Sequence, residues 1–344
     1  MPATRILAAA VAAIVAGALP APAYAGQRHR TLPAHVFAPY FQTYTDADPA
    51  AVSKASGARY LTMAFLQTQA TGSCDILWNG DPATPVSPAV HGTQIARIRA
   101  AGGDVVPSFG GYSADSTATE IADSCTDVGK IAAAYRKVVT TYGVTRLDMD
   151  IEDASLNNTA AIDRRNQAIH LVQRWAERQH RPLQIVYTLP TAPGGLEDNA
   201  INVLASARRY GARVDIVNIM TFDYYDDQAH DMAADTRTAA AGLVATLREL
   251  YPHRSDRQLW AMVGVTEMIG IDDYGSGGET GPLEVLTLAG ARDVTRWAAA
   301  HRIGELSFWA LGRDNGGCPG TPGSDDCSGV VQKPYEFTHI MGRF

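Results

Sequence analysis

The hexapeptide Leu147-Asp148-Met149-Asp150-Ile151-Glu152 alternates apolar and acidic residues along its whole length. Successive side chains of a β-strand point to opposite faces. Leu147, Met149 and Ile151 therefore share one face, and Asp148, Asp150 and Glu152 share the other. The apolar face suits a helix layer, which puts the acidic face inside a curled sheet. Three carboxyls at that spacing do not all ionise cheaply in a restricted space; repulsion and desolvation raise at least one proton affinity. A carboxylic acid kept protonated near neutral pH can protonate a leaving group. Glu152 is outermost and has the longest reach, so it is the natural acid. Asp150, one step inward, can pair with it or turn toward a substrate, and Asp148 lies deepest and would tune Asp150. Two blander readings compete. A solvated edge strand can carry alternating acids, but its other residues would not then be Leu, Met and Ile in mid-chain. A site for a hard cation also gathers carboxylates, yet no further Asp/Glu/His cluster at ligand spacing stands out, so neither metal nor cofactor is expected.

Outward from this segment the chain alternates short β-rich stretches with helical ones. Candidate strands are His35–Tyr40, Arg59–Phe65, Asp104–Phe109, Arg146–Ile151, Gln184–Thr188, Ile216–Met220, Leu259–Val263 and Leu306–Trp309. Their starts lie roughly 25 to 45 residues apart, too far for hairpins and enough for crossover helices between parallel strands. Thr126-Asp127 to Tyr142 has N-cap chemistry at its start and Gly143 just past its end, with Ile131, Ala134, Tyr135 and Val138 on one face. Ala160 to Arg178 and Met232 to Leu250 read the same way. Eight βα units predict an α/β fold, a (β/α)8 TIM barrel, with a doubly wound sheet as the alternative. In a barrel the active face is built from the C-terminal ends of the strands and the loops after them.

The 344 residues are 46% hydrophobic and 19% charged, ample for a full core and too apolar for disorder. With 29 basic against 36 acidic residues and a net charge of −7, no basic face for nucleic acid is expected. Arg5 in a short polar start, the apolar run Ile6–Leu19 and Ala23-Tyr24-Ala25 read as a secretory signal peptide over residues 1–25, leaving 26–344 as a single catalytic barrel domain. No later segment approaches the ~20 apolar residues of a membrane span, so a secreted, extracellular protein without membrane contact is expected, taken as a monomer. Cys74, Cys125, Cys318 and Cys327 give an even count in an exported chain, hence two disulfides. Of the three connectivities, Cys318–Cys327 across a Pro/Gly-rich loop with Cys74–Cys125 is favoured.

The acid row resembles the DxDxE signature of glycoside hydrolase family 18, the chitinase family. Ser108-Phe109-Gly110-Gly111 resembles its SxGG motif at the end of strand three. Met220-Thr221-Phe222-Asp223 sits where the family has M-x-Y-D after strand six, and Trp309 ends the last strand where a Trp commonly floors the site. The four matches fall in order and span roughly Val36 to Phe344. The resemblance implies a retaining, substrate-assisted cleavage of β-1,4 bonds beside N-acetylglucosamine, in which the sugar's acetamido oxygen is the nucleophile. It implies Glu152 as general acid/base, Asp150 as partner of the acetamido N–H, Asp148 as support for Asp150, and Asp223 beside the acetamido pocket. Substrate contacts are expected from Trp309, Tyr40, Met220, Phe222, Tyr224 and Gly111. Two departures stand out. Thr145-Arg146 replaces the Asp-Gly that often precedes the signature, and Phe222 replaces a Tyr whose hydroxyl usually helps bind the acetamido carbonyl, a task left to Tyr224 or Tyr225.

Apolar sugar faces stack on rings. Tyr112 just after a strand end and Trp78 in the loop after strand two, beside Cys74, join the candidates, whereas Trp175, Trp260 and Trp297 read as packing. The gap of about 45 residues between strands seven and eight leaves no room for a lid domain beside its helix, so an open groove and endo cleavage of chitin or its oligosaccharides are expected. The alternative is a chitinase-like carbohydrate-binding protein with little turnover; the intact Glu152 favours the enzyme.

Overall fold

The computed structural model describes residues 31–273, 281–321 and 324–344. Within it, parallel strands follow one another around a curled sheet, with helices outside. The strands are Val36–Phe37 with Tyr40–Gln42, then Tyr60–Thr68, Asp104–Gly110, Arg146–Asp150, Gln184–Pro190, Ile216–Met220, Val263–Met268 and Glu305–Trp309. The first strand is in two pieces because Pro39 has no N–H to give to the ladder. Val36 and Phe37 pair with Glu305 and Leu306, while Tyr40–Gln42 pair with Thr62–Ala64 on the other side. The two ends of the sheet therefore meet on one segment and the (β/α)8 barrel closes. Seven of the eight expected strands are found in place.

The seventh strand differs from its sequence reading. It starts at Val263, and most of the expected Leu259–Val263 segment belongs to a short helix, Asp256–Trp260, with its following turn. The cause is a capping box: the Ser255 N–H donates to Gln258 Oε1 at 2.9 Å, which starts a helix where the apolar run alone suggested a strand. Trp260 then packs edge-on against Trp297, ring centroids 5.9 Å apart.

The helices follow their sequence signals. Val128–Tyr142 is capped by Asp127, whose carboxylate accepts the Lys130 N–H at 3.0 Å, and it stops at Gly143 in the left-handed region. Thr159–Arg178 and Met232–Leu250 start on Asn158 and Asp231 caps. Leu147, Met149 and Ile151 are buried between barrel and helices, as the alternation requires.

The barrel interior is polar and layered. At the floor, Arg146 is 1% exposed and donates to Glu305 Oε2 at 2.7 Å and to Gln184 Oε1 at 2.9 Å. Above it, the Asn218 amide donates to Thr188 and Thr266 hydroxyls at 3.0 and 2.7 Å. The mouth holds the acid row. Both favoured disulfides form: Cys74–Cys125 ties the segment after the second strand to the start of a helix, and Cys318–Cys327 closes the loop after the eighth strand. The signal-peptide segment lies outside the described residues. No helix among the described residues is long and apolar enough to cross a membrane.

Candidate active site

The acid row rises along the barrel axis. Asp148 and Asp150 are 1% and 3% exposed, and Glu152, just past the fourth strand, is half-buried at the mouth. Asp148 is held by three hydroxyls: Tyr40 and Ser108 donate to its Oδ2 at 2.9 and 2.6 Å, and Thr188 to its Oδ1 at 2.7 Å. Burial pushes its carboxyl up, and those hydroxyls pull it back toward the ionised form. Asp150 has no comparable support. Burial, then the charges of Glu152 and Asp148, push it well above the carboxylate range, and its Oδ1 has no hydrogen-bond partner. Glu152 shares a hydrogen bond with Asp150 and accepts the Tyr112 main-chain N–H. Burial raises Glu152 from 4.5 to about 7 against those two bonds, with Asp273 and Asp153 adding repulsion. The arrangement is a shared-proton carboxyl pair above an anchored carboxylate, able to deliver one proton and stabilise one positive charge.

Each strand end supplies a part. Gly110 allows the third strand to meet the fourth, because a Cβ there would lie 2.0 Å from the Asp150 carbonyl oxygen. Gly111 has φ 82°, and its Cβ would lie 2.6 Å from the Phe65 ring. That ring stacks on Trp309 at 12° and 5.7 Å, with Tyr40 tilted against both. Asp325, from the disulfide-closed loop, accepts the Trp309 indole N–H at 3.3 Å and the Tyr44 hydroxyl at 3.1 Å. Met220 and Phe222 are buried at the end of the sixth strand.

Several expectations change. Tyr40 is 1% exposed, so it acts through its hydroxyl on Asp148 and presents no open ring face. Trp78 is a core residue, fully buried with its indole N–H on the Tyr142 hydroxyl at 2.8 Å. The Tyr224 hydroxyl is buried without a hydrogen-bond partner, in the field of Glu267, Asp235 and Glu284, and its ring lies against His230. Tyr225 is 59% exposed.

Sequence reasoning singled out Asp223 but missed the two acids it stands with. Asp223, Asp272 and Asp273 bring carboxylate oxygens within 4.8 Å of one another. Burial and the adjacent Asp272 push Asp223 up to about 11, and burial and the same neighbour push Asp273 up to about 6. Arg313, itself buried, faces these carboxyls and supplies opposite charge. The signal was readable: Asp272-Asp273 follows the true seventh strand closely, but that strand was placed several residues too early. Glu267, buried inside that strand and raised to about 8 by burial, was lost for the same reason. Asp115 was missed because it stands alone in a short helix, Tyr112–Ser116.

A closed parallel barrel with a carboxyl pair at its mouth and aromatic rings beside it defines a carboxylate-dependent hydrolase scaffold. The chain belongs to glycosyl hydrolases family 18, whose family model matches residues 36–284. It is 31% identical over 334 residues to a probable bifunctional chitinase/lysozyme of Escherichia coli (strain K12), covering 93% of this chain and 35% of that protein. It is 32% identical over 302 residues to endochitinase 11 of Metarhizium anisopliae, covering 84% of this chain and 54% of that one. The chain thus spans about a third and about half of these relatives' lengths. Among solved structures, active domain 2 of a chitinase from Pyrococcus furiosus superposes with a TM-score of 0.77 at 29% identity, covering 91% of this chain and 95% of that one.

Proposed function

We propose that the protein is a secreted, endo-acting chitinase that cleaves β-1,4 bonds of N-acetylglucosamine polymers by a retaining, substrate-assisted route. The observation that carries this reading is the Asp150–Glu152 pair, with Glu152 near neutral proton affinity at an open mouth. Protonated Glu152 donates its proton to the glycosidic oxygen as the acetamido oxygen of the same sugar attacks the anomeric carbon. The C–O bond breaks, the aglycone leaves, and an oxazolinium forms. Asp150 accepts the acetamido N–H and balances the positive charge, while Asp148 holds Asp150 in place. Glu152, now a carboxylate, takes a proton from water as that water opens the oxazolinium from the leaving-group face. Asp223 lines the acetamido pocket, and Trp309 with Phe65 floors it, with Met220, Phe222 and Gly111 shaping the wall. Phe222 offers the acetamido carbonyl no hydroxyl and the Tyr224 hydroxyl is buried, so the task falls to Tyr225, which is 59% exposed.

Supporting the substrate class are the relatives, named chitinase/lysozyme, endochitinase and chitinase. Endo action is favoured because the described residues between the seventh and eighth strands hold only the hairpin Gly270–Ile271 with Val285–Leu286 and the helix Leu288–His301. Secretion is supported by the N-terminal segment and the two disulfides, which persist in oxidising compartments.

The test is hydrolysis of chitin tetra- to hexasaccharides by the purified protein, with and without EDTA, read by mass spectrometry. Shorter N-acetylglucosamine oligomers formed equally in EDTA support the reading. Folded protein that binds oligosaccharide tightly and releases no product reverses it in favour of a binding protein.

A further inference from the structure

Asp115 is 1% exposed and lies beside the acid row without belonging to it. Its Oδ2 accepts the main-chain N–H of Glu152 at 2.5 Å, and its Oδ1 is buried with no hydrogen-bond partner. The glycine pair puts it there. Gly110 lets the third strand approach the fourth, and the Gly111 carbonyl accepts the N–H groups of Ala114 and Asp115 at 2.9 and 3.1 Å, turning the chain back toward the barrel. Burial, then the charges of Glu120 and Glu152, push the Asp115 carboxyl well above the carboxylate range, so it meets that N–H as an oxygen acceptor and not as a fixed charge.

The charged groups facing Asp115 are Glu120, Glu152 and Arg165, and Asp150 lies within reach of its field. Arg165 is already committed. Its Nη2 donates to Glu120 Oε2 at 2.7 Å and stands 3.9 Å from Asp123 Oδ2. Asp123 in turn receives the Ser155 hydroxyl and, at 2.6 Å, the Asn158 amide, which fixes the turn just after Glu152. Arg165 thus offsets mainly Glu120 and Asp123, which leaves Asp115 raised by burial and by its acidic neighbours.

We propose that Asp115 is a positioning residue for Glu152. Its carboxyl anchors the peptide from which the acid projects. The kinetic consequence rests on the glycosidase reading; the hydrogen bond does not. Asp115→Ala loses the anchor, and kcat on chitin hexasaccharide falls 10- to 100-fold with KM within about threefold. Asp115→Asn keeps an acceptor oxygen for the Glu152 N–H and recovers most of kcat. Independently of turnover, the Glu152 amide proton, followed by NMR, is shifted downfield and protected from exchange in the native protein and in Asp115→Asn. Wild-type kcat in folded Asp115→Ala, equal losses in both variants, or an unprotected Glu152 amide in the native protein overturns the inference. Should Asp115→Ala not fold, a freely exchanging Glu152 amide in the native protein overturns it alone. Absence of any turnover in the native protein with a protected amide counts against the glycosidase reading and leaves the anchor standing.

Discussion

Replacing Glu152 by Gln tests activity and stability through one proton. In the native site the carboxyl is raised from 4.5 to about 7, chiefly by burial. At pH 6 about nine-tenths of such a group is protonated, against about three hundredths of an ordinary Glu, so the site gains roughly thirtyfold in competent acid. The native enzyme is therefore expected to lose kcat/KM about tenfold per pH unit above 7. The variant has no proton to give, so kcat falls by about 10²–10⁴ and the alkaline limb disappears. Stability moves the other way. A carboxyl whose folded affinity is raised leaves the fold unpenalised below 4.5 and takes from it progressively as pH rises through 7. The shift from 4.5 to about 7 corresponds to about 3 kcal/mol, an upper bound because Asp150 shares the proton. Glu152→Gln should match the native protein in urea unfolding at pH 4 and exceed it by up to about 3 kcal/mol at pH 8. The assay pairs hexasaccharide kinetics from pH 4 to 9 with unfolding at both pH values. A variant within tenfold of native kcat, a surviving alkaline limb, or a stability difference that ignores pH would refute the reasoning.

Tyr40→Phe keeps the ring and removes the 2.9 Å hydrogen bond to Asp148; at about 1.5–3 kcal/mol for a bond to a charged group, kcat should fall ten- to a hundredfold with KM little changed. Gly111→Ala places a Cβ 2.6 Å from the Phe65 ring in a left-handed backbone, and calorimetry should report a loss of about 1–3 kcal/mol. Arg146→Met leaves Glu305 buried without its 2.7 Å partner and should cost about 3–5 kcal/mol in urea unfolding, most of it recovered by adding Glu305→Leu. Removing the Cys74–Cys125 bridge, which spans 51 residues, should lower stability by about 4 kcal/mol and leave folded kcat within a few-fold.

The acid row was legible because strand alternation is a one-dimensional signal: Leu147, Met149 and Ile151 had to face helices, so Asp148, Asp150 and Glu152 had to face inward. Asp127, Gly143 and the helix between them were legible for the same local reason. The seventh strand was not, since Leu259 and Trp260 suit either element and a two-residue capping bond decided between them. Tyr40 was assigned to the substrate because its position at a strand end is visible and its burial is not. Asp272 was lost with the seventh strand, whereas Asp115 depends on which loops meet across the barrel, a three-dimensional fact that no spacing encodes.

The floor of the barrel is plugged by Arg146, Glu305 and Gln184, with the ion pair 1% and 2% exposed. The interior is therefore a blind well. Asp148 and Asp150 exchange with bulk solvent by way of the rim, where Glu152 stands. Under the proposed reaction sugar, attacking water and protons all pass this rim, so sugar seated there stands between the inner carboxyls and bulk solvent. On that reading the charge state of the well is set in the free protein, before sugar arrives.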